Sequence, residues 1–75
     1  MMEQIDAVVR FTKNGPRPTR ITWRGREITL DSTGRSWQAE DGFHILAMLP
    51  DQRVVELRFD PREMAWYLKP PAEHG

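Results

Sequence analysis

Residues 21–30 read Ile21-Thr22-Trp23-Arg24-Gly25-Arg26-Glu27-Ile28-Thr29-Leu30, with apolar and polar side chains alternating on both sides of a single glycine. Two alternating runs about a glycine make a β-hairpin. A two-residue turn at Gly25-Arg26, with glycine at the first central position where φ must be positive, sets Arg24 across from Glu27. Trp23 then faces Ile28, Thr22 faces Thr29, Ile21 faces Leu30 and Arg20 faces Asp31. Every cross-strand pair is matched in kind. Moving the turn to Arg24-Gly25 sets Trp23 opposite Arg26, Ile21 opposite Ile28 and Leu30 opposite Thr19, and both charge pairs are lost, so the first register is the expected one. The ribbon has an apolar side (Ile21, Trp23, Ile28, Leu30) and a wet side (Arg20, Thr22, Arg24, Glu27, Thr29, Asp31). This is the pattern of a small antiparallel sheet over a one-sided core.

Working outward, Ile5, Ala7, Val9 and Phe11 alternate with Asp6, Val8, Arg10 and Thr12, which predicts a first strand. Asn14-Gly15-Pro16-Arg17-Pro18 reads as a turn or extended connection. After the hairpin, Asp31-Ser32-Thr33-Gly34 breaks the pattern before a strand begins near Trp37. A three-residue loop at Glu40-Asp41-Gly42 pairs Ala39 with Phe43 and Trp37 with Ile45. Phe43–Leu49 is apolar on both faces except at His44, so it reads as a central strand. A three-residue loop Pro50-Asp51-Gln52 aligns Phe43 with Phe59, Ile45 with Leu57 and Ala47 with Val55; a four-residue loop aligns Leu46 with Leu57 and Met48 with Val55. The first keeps one continuous core face and is preferred. Asp60-Pro61-Arg62-Glu63 has the signature of a capped helical turn, near residues 60–64. A last strand, Trp66–Lys69, ends at Pro70-Pro71.

The expected fold is therefore mostly β: an antiparallel meander of about six short strands over residues 1–69, with 70–75 a disordered tail. In so short a chain the sheet must curl to enclose Val9, Phe11, Ile21, Trp23, Ile28, Leu30, Trp37, Ile45, Leu57, Phe59, Trp66 and Leu68. A partly open, SH3-like barrel is the first expectation. A curved single sheet that dimerises through an uncovered face is the second.

Seventy-five residues make one domain with room for a modest core and no deep cleft. With no cysteine there is no disulfide framework, thiol nucleophile or thiolate metal site. The opening segment carries two acids before its first base and too short an apolar run for a signal peptide, and nothing later reaches membrane-spanning length. A cytoplasmic location is expected. The eleven basic and eleven acidic residues cancel but are segregated. Residues 10–35 hold seven bases (Arg10, Lys13, Arg17, Arg20, Arg24, Arg26, Arg35) against Glu27 and Asp31.

The stretch Pro18-Thr19-Arg20-Ile21-Thr22-Trp23-Arg24-Gly25-Arg26-Glu27-Ile28, the lone Trp37, Val55-Glu56-Leu57-Arg58-Phe59-Asp60 and the closing Trp66-Tyr67-Leu68 resemble a small bacterial domain family of unknown function. That family is marked by a proline, a Trp-Arg-Gly-Arg hairpin, a downstream Trp and a closing Trp-Tyr-Leu. Its members occur alone or C-terminal to proteins resembling Y-family DNA polymerases. The resemblance covers residues 16–69 and rests on hairpin and core positions, so it implies shape more than activity. Ile28 stands where that family commonly has an aromatic. By resemblance the setting is DNA repair or translesion synthesis.

The arginines carry the leading functional expectation, a non-catalytic module that binds nucleic acid or an acidic partner such as a DNA-repair protein. Arg and Lys displace condensed counterions from phosphates, and the Arg fork also stacks. Arg20 and Arg24 are expected to face acids, which leaves Arg10, Lys13, Arg17, Arg26 and Arg35 as the binding set if the connections at 13–17, 25–26 and 34–35 come together. The competing expectation is a protein–protein or homodimeric module using an outer strip of Leu46 and Met48, with Tyr67 as the exposed aromatic. Trp23, Trp37 and Trp66 read as core. His44 beside Glu40 and Asp41 gives no three-ligand metal set and reads as a surface or half-buried strand histidine. Ser32 and Ser36 lack a nucleophile elbow, and the scattered glycines lack phosphate-loop spacing. No enzyme activity, cofactor, metal, membrane contact or small-molecule substrate is expected.

Overall fold

In the computed structural model, which describes residues 1–71, the alternating segments become seven strands. They are β1 (Glu3–Thr12), β2 (Gly15–Trp23), β3 (Arg26–Thr29), β4 (Ser32–Ala39), β5 (Gly42–Met48), β6 (Val54–Asp60) and β7 (Ala65–Lys69). They form one sheet in the order β3-β2-β1-β7-β6-β5-β4, with every neighbouring pair antiparallel. Residues 72–75, most of the expected tail, lie outside the described residues. Among the described residues no helix is long and apolar enough to cross a membrane.

The sheet curls because its two edge strands are consecutive in sequence. Only Leu30 and Asp31 separate β3 from β4, and they bond to opposite ends of the sheet. The Leu30 amide donates to the Thr19 carbonyl (3.0 Å), extending β2–β3, and the Asp31 amide donates to the Met48 carbonyl (2.8 Å), extending β4–β5. Residues 26–39 are thus one path that leaves one edge and joins the other, the bend by which a sheet turns a corner. The result is the small, mostly β, half-closed barrel that the alternation implied.

Its interior holds Ile5, Ile21, Trp23, Leu30, Phe43, Ile45, Ala47, Leu49, Val55, Leu57, Trp66 and Leu68, with Pro18 also enclosed. The Phe43–Phe59, Ile45–Leu57, Ala47–Val55 register is as expected, with a three-residue loop closed by Gln52 and Leu49 (2.9 Å). Trp66 faces Phe59 and Leu68 faces Leu57, also as expected.

Five local expectations need correction. The central hairpin turns at Arg24-Gly25, both with positive φ (52° and 75°), so Trp23 pairs with Arg26 and Ile21 with Ile28. A turn with two left-handed residues matches strand twist, and glycine belongs at its second central position. The Arg24 guanidinium bonds Glu3 (2.9 and 2.6 Å) and lies 4.7 Å over the Trp23 ring. Exposed charge pairs contribute too little to set a register, and Arg20 still reaches Glu27 diagonally at 3.8 Å.

Second, Pro16-Arg17-Pro18 is strand, not connection. The two-residue turn Lys13-Asn14 makes Thr12 and Gly15 a bonded pair, so Arg10 and Arg17 are bonded and Phe11–Pro16 and Val9–Pro18 are not. Both prolines therefore sit where no amide is needed, facing an edge that β3 does not cover. Third, β4 starts at Ser32, with an irregularity between Thr33 and Ser36. It also enters β5 one residue out of the expected register: Ala39 pairs with Gly42 and Trp37 with His44. Gly42 (φ 128°) serves close packing here, because a Cβ on it would lie 2.0 Å from the Phe59 carbonyl oxygen. Trp37 consequently leaves the core for the outer face.

Fourth, Phe11 has inward parity yet is 83% exposed, because β1 runs on past its pairing with β7, which ends at Ile5. Fifth, residues 61–64 form a turn without a helix; the capping Asp60 Oδ1 accepts from the Arg62 and Glu63 amides (2.8 and 3.3 Å).

Candidate functional site

The distal half of the β1–β2 hairpin gathers three of the five expected cations. Its turn is pinned by Thr12, whose Oγ1 donates to the Gly15 carbonyl (2.9 Å) and accepts from the Asn14 amide (3.2 Å). Lys13 sits in that turn, and Arg10 and Arg17 are direct cross-strand partners on the outer face. All three are exposed, and none makes an ion pair among the described residues. Like charges directly opposite destabilise a ladder, so this pairing costs the fold something and gives it nothing. Arg20 continues the same outer side, opposite Val8.

The inner side of the same ribbon is apolar. Phe11 pairs with Pro16, and together with Val9, Phe59 and Trp66 they line a shallow hollow of about 60 Å³ at the mouth of the barrel. The ribbon thus carries cations on one side, an uncovered aromatic on the other and Lys13 at its tip.

Arg26 and Arg35 do not join this group. Arg26 pairs with Trp23, about 20 Å along β2 from Arg17 at the usual strand rise, beside the loop containing Pro50, Asp51 and Arg53. Consecutive turns of a meander fall at opposite ends of the shared strand, so the connections at 13–17 and 25–26 cannot meet. On β4, Arg35 turns its guanidinium over the Trp37 ring (5.7 Å). Its neighbour Gly34 shares a narrow cleft with Gly15, Pro16 and Arg17.

The outer face of β4–β7 holds a second constellation. Trp37, His44, Arg58 and Tyr67 form a row, each directly opposite the next on adjacent strands. Trp37 and His44 stack (5.2 Å, 11°), and Arg58 lies 4.7 Å over Tyr67. His44, 7% exposed rather than surface or half-buried, places Nε2 2.7 Å from Asp41 Oδ1 and Nδ1 3.1 Å from Glu56 Oε2. Burial is the largest single influence on His44 and lowers its pKa, but the hydrogen bonds to Asp41 and Glu56 and their charges together prevail and hold it above the ordinary value. The hydrogen bond from His44 likewise holds Asp41 below the usual carboxylate range. Both ring nitrogens face carboxylate oxygens, so in the imidazolium form that these contacts favour both N–H groups are committed as donors and the ring offers no base.

Arg58 donates to the Asp41 carbonyl (2.8 Å) and Asp60 (3.3 Å). Tyr67 donates to Glu63 (2.5 Å), a bond that raises the phenol pKa. Tyr67 is thus half-buried and tied down rather than free. Leu46 and Met48 face outward as expected but are half-buried; with Val54 and Arg35 they line a second hollow, of about 200 Å³. Sequence reasoning missed the Trp37–His44 pair; the available signal was the choice between a two- and a three-residue loop at Glu40–Gly42.

Among the described residues no group of three or more His, Cys, Asp or Glu side chains is placed to hold a metal ion. No protein-family model matches this chain, no curated protein matches it, and no solved structure matches it.

Proposed function

We propose that this domain is a non-catalytic binding module that holds nucleic acid by its phosphates through the β1–β2 hairpin, with Arg10, Lys13 and Arg17 as the contacts. One observation carries the reading: Arg10 and Arg17 stand directly opposite each other without an acid, at a cost to the ladder. Local rules of stability are broken in this way where a ligand uses the broken group. The likeness to domains found beside Y-family polymerases supports a setting in DNA repair.

Salt dependence tests it. Each phosphate held contributes about −0.7 to the slope of log K against log salt on single strands and about −0.9 on duplex, so three cations give roughly −2 to −3. That is about a 20- to 40-fold loss of affinity between about 50 and 200 mM salt. The pair Arg10→Ala/Arg17→Ala should weaken binding, leave a slope shallower than about −1, and keep or raise the urea midpoint. Anisotropy titrations that show no binding at low salt, or an unchanged slope in the double variant, refute the reading.

A second reading, self-association through the outer face, rests on the hollow among Leu46, Met48 and Val54. It requires a concentration-dependent dimer in sedimentation that Met48→Asp abolishes.

A further inference from the structure

We propose that the nucleic acid is single-stranded and that one unpaired base stacks on Phe11 over the mouth of the barrel. This rests on the hairpin reading and adds the class of ligand. Three features argue for it. Phe11 is an aromatic left 83% exposed in a chain that buries both Trp23 and Trp66, so its ring is not needed by the core. Its neighbours in the hollow, Val9, Pro16, Phe59 and Trp66, are all apolar, which suits the face or edge of a base and offers a phosphate nothing. In each strand the exposed cation and the apolar residue are adjacent in sequence, Arg10 with Phe11 and Arg17 with Pro16. A strand crossing the ribbon therefore meets charge on one side and a stacking surface on the other.

Nucleic-acid modules that ignore sequence combine these two elements, since every base has a π-face and every linkage a charge. A duplex keeps its base faces stacked on one another and has none to give to Phe11. Phe11 with nearby cations also suits an anionic lipid surface, but the aromatic borders a concave hollow, whereas insertion into lipid favours a convex apolar face.

The test compares labelled oligothymidylate, a strand of the same length made of abasic sites, a duplex, and anionic phosphatidylserine vesicles. Oligothymidylate should bind more tightly than the abasic strand. Phe11→Ala should weaken oligothymidylate binding roughly 5- to 150-fold, the range for loss of one base–aromatic stack. It should leave abasic and duplex binding unchanged, and Phe11→Trp should restore the difference. Phe11 is exposed, so Phe11→Ala should keep the far-ultraviolet spectrum and the urea midpoint. If Arg10→Ala/Arg17→Ala weakens every nucleic acid while Phe11→Ala weakens none, the stacking proposal fails and the phosphate reading stands. If neither variant changes binding, both fail. Capture by vesicles that depends on Phe11, without oligothymidylate binding, overturns the proposal in favour of a lipid surface.

Discussion

Raising the pH should destabilise this domain through His44. The ring is 7% exposed and has a carboxylate oxygen at each nitrogen, Asp41 at 2.7 Å and Glu56 at 3.1 Å. Only the imidazolium can donate to both; the neutral ring has one N–H and leaves the other carboxylate facing a lone pair. The groups around it are Asp41, Glu56, the stacked Trp37, and Arg58, its cross-strand partner. The folded-state pKa lies above the ordinary 6.5, so protonated His44 contributes stability in full below about 6.5 and loses it as pH rises through the folded value. Each unit of separation corresponds to about 1.4 kcal/mol. A hydrogen bond to a charged group contributes about 1.5–3 kcal/mol when buried. Here one acceptor, Asp41, is largely in solvent, so a total loss of about 1–2 kcal/mol is expected. That is a measurable part of the roughly 4–11 kcal/mol available to a chain of this length. Urea denaturation at intervals from slightly acid to alkaline pH reads the effect. The native protein should lose stability across the window and His44→Gln should be flat, with both starting from different midpoints. Nitrogen chemical shifts should show both ring nitrogens protonated at slightly acid pH, with the proton lost at higher pH than from a free imidazole. A parallel pH slope in His44→Gln, or a ring that loses its proton at lower pH than a free imidazole, refutes the two-carboxylate account.

The glycines should separate by mechanism. Gly42→Ala drives a Cβ to 2.0 Å from the Phe59 carbonyl and should remove most of the stability; Gly25→Ala meets open space but keeps φ at 75°, for about 1 kcal/mol; Gly34→Ala meets neither and should stay within about 0.5 kcal/mol. A Gly42→Ala midpoint close to that of Gly34→Ala contradicts the β4–β5 turn. Leu57→Ala opens a cavity at a fully enclosed site and should cost about 2–5 kcal/mol, whereas Val54→Ala, on the exposed outer face, should cost under about 1 kcal/mol. Comparable losses at the two positions would mean that the sheet curls the other way.

Two register errors of similar size had different consequences, which shows what was legible in the sequence. At the central hairpin the expected partner of Trp23 was Ile28 and the actual one is Arg26, a slip of two residues. A slip of two preserves side-chain parity, so Ile21, Trp23 and Leu30 still face the core as expected, with Ile28 packed against it. At β4–β5 the expected partner of Trp37 was Ile45 and the actual one is His44, a slip of one. That reversal moved a tryptophan from the core to the outer face and concealed the Trp37–His44–Arg58–Tyr67 row altogether. The turn at Glu40–Gly42 was undecidable locally because its glycine is required by the Phe59 carbonyl of β6, a contact between strands that no short window contains.

Phe11 shows the complementary limit. Alternation correctly assigned it to the inner side of β1, but facing inward buries a side chain only where another strand lies beneath. β1 pairs with β7 through Glu3, Gln4 and Ile5 alone, while its pairing with β2 runs to Thr12. The distal half of β1 therefore has an open edge on the β7 side, while the β2 side of the hairpin stays on the body, with Gly15 beside the Phe43 ring and Pro18 buried. Strand lengths across a sheet decide where that edge opens, and they become visible only once the order β2-β1-β7 is known. That open edge exposes Phe11. Charge along the sequence could suggest a basic region but could not divide it into one hairpin half that carries Arg10, Lys13 and Arg17 without an ion pair among the described residues, and a distant Arg26. Topology makes that division.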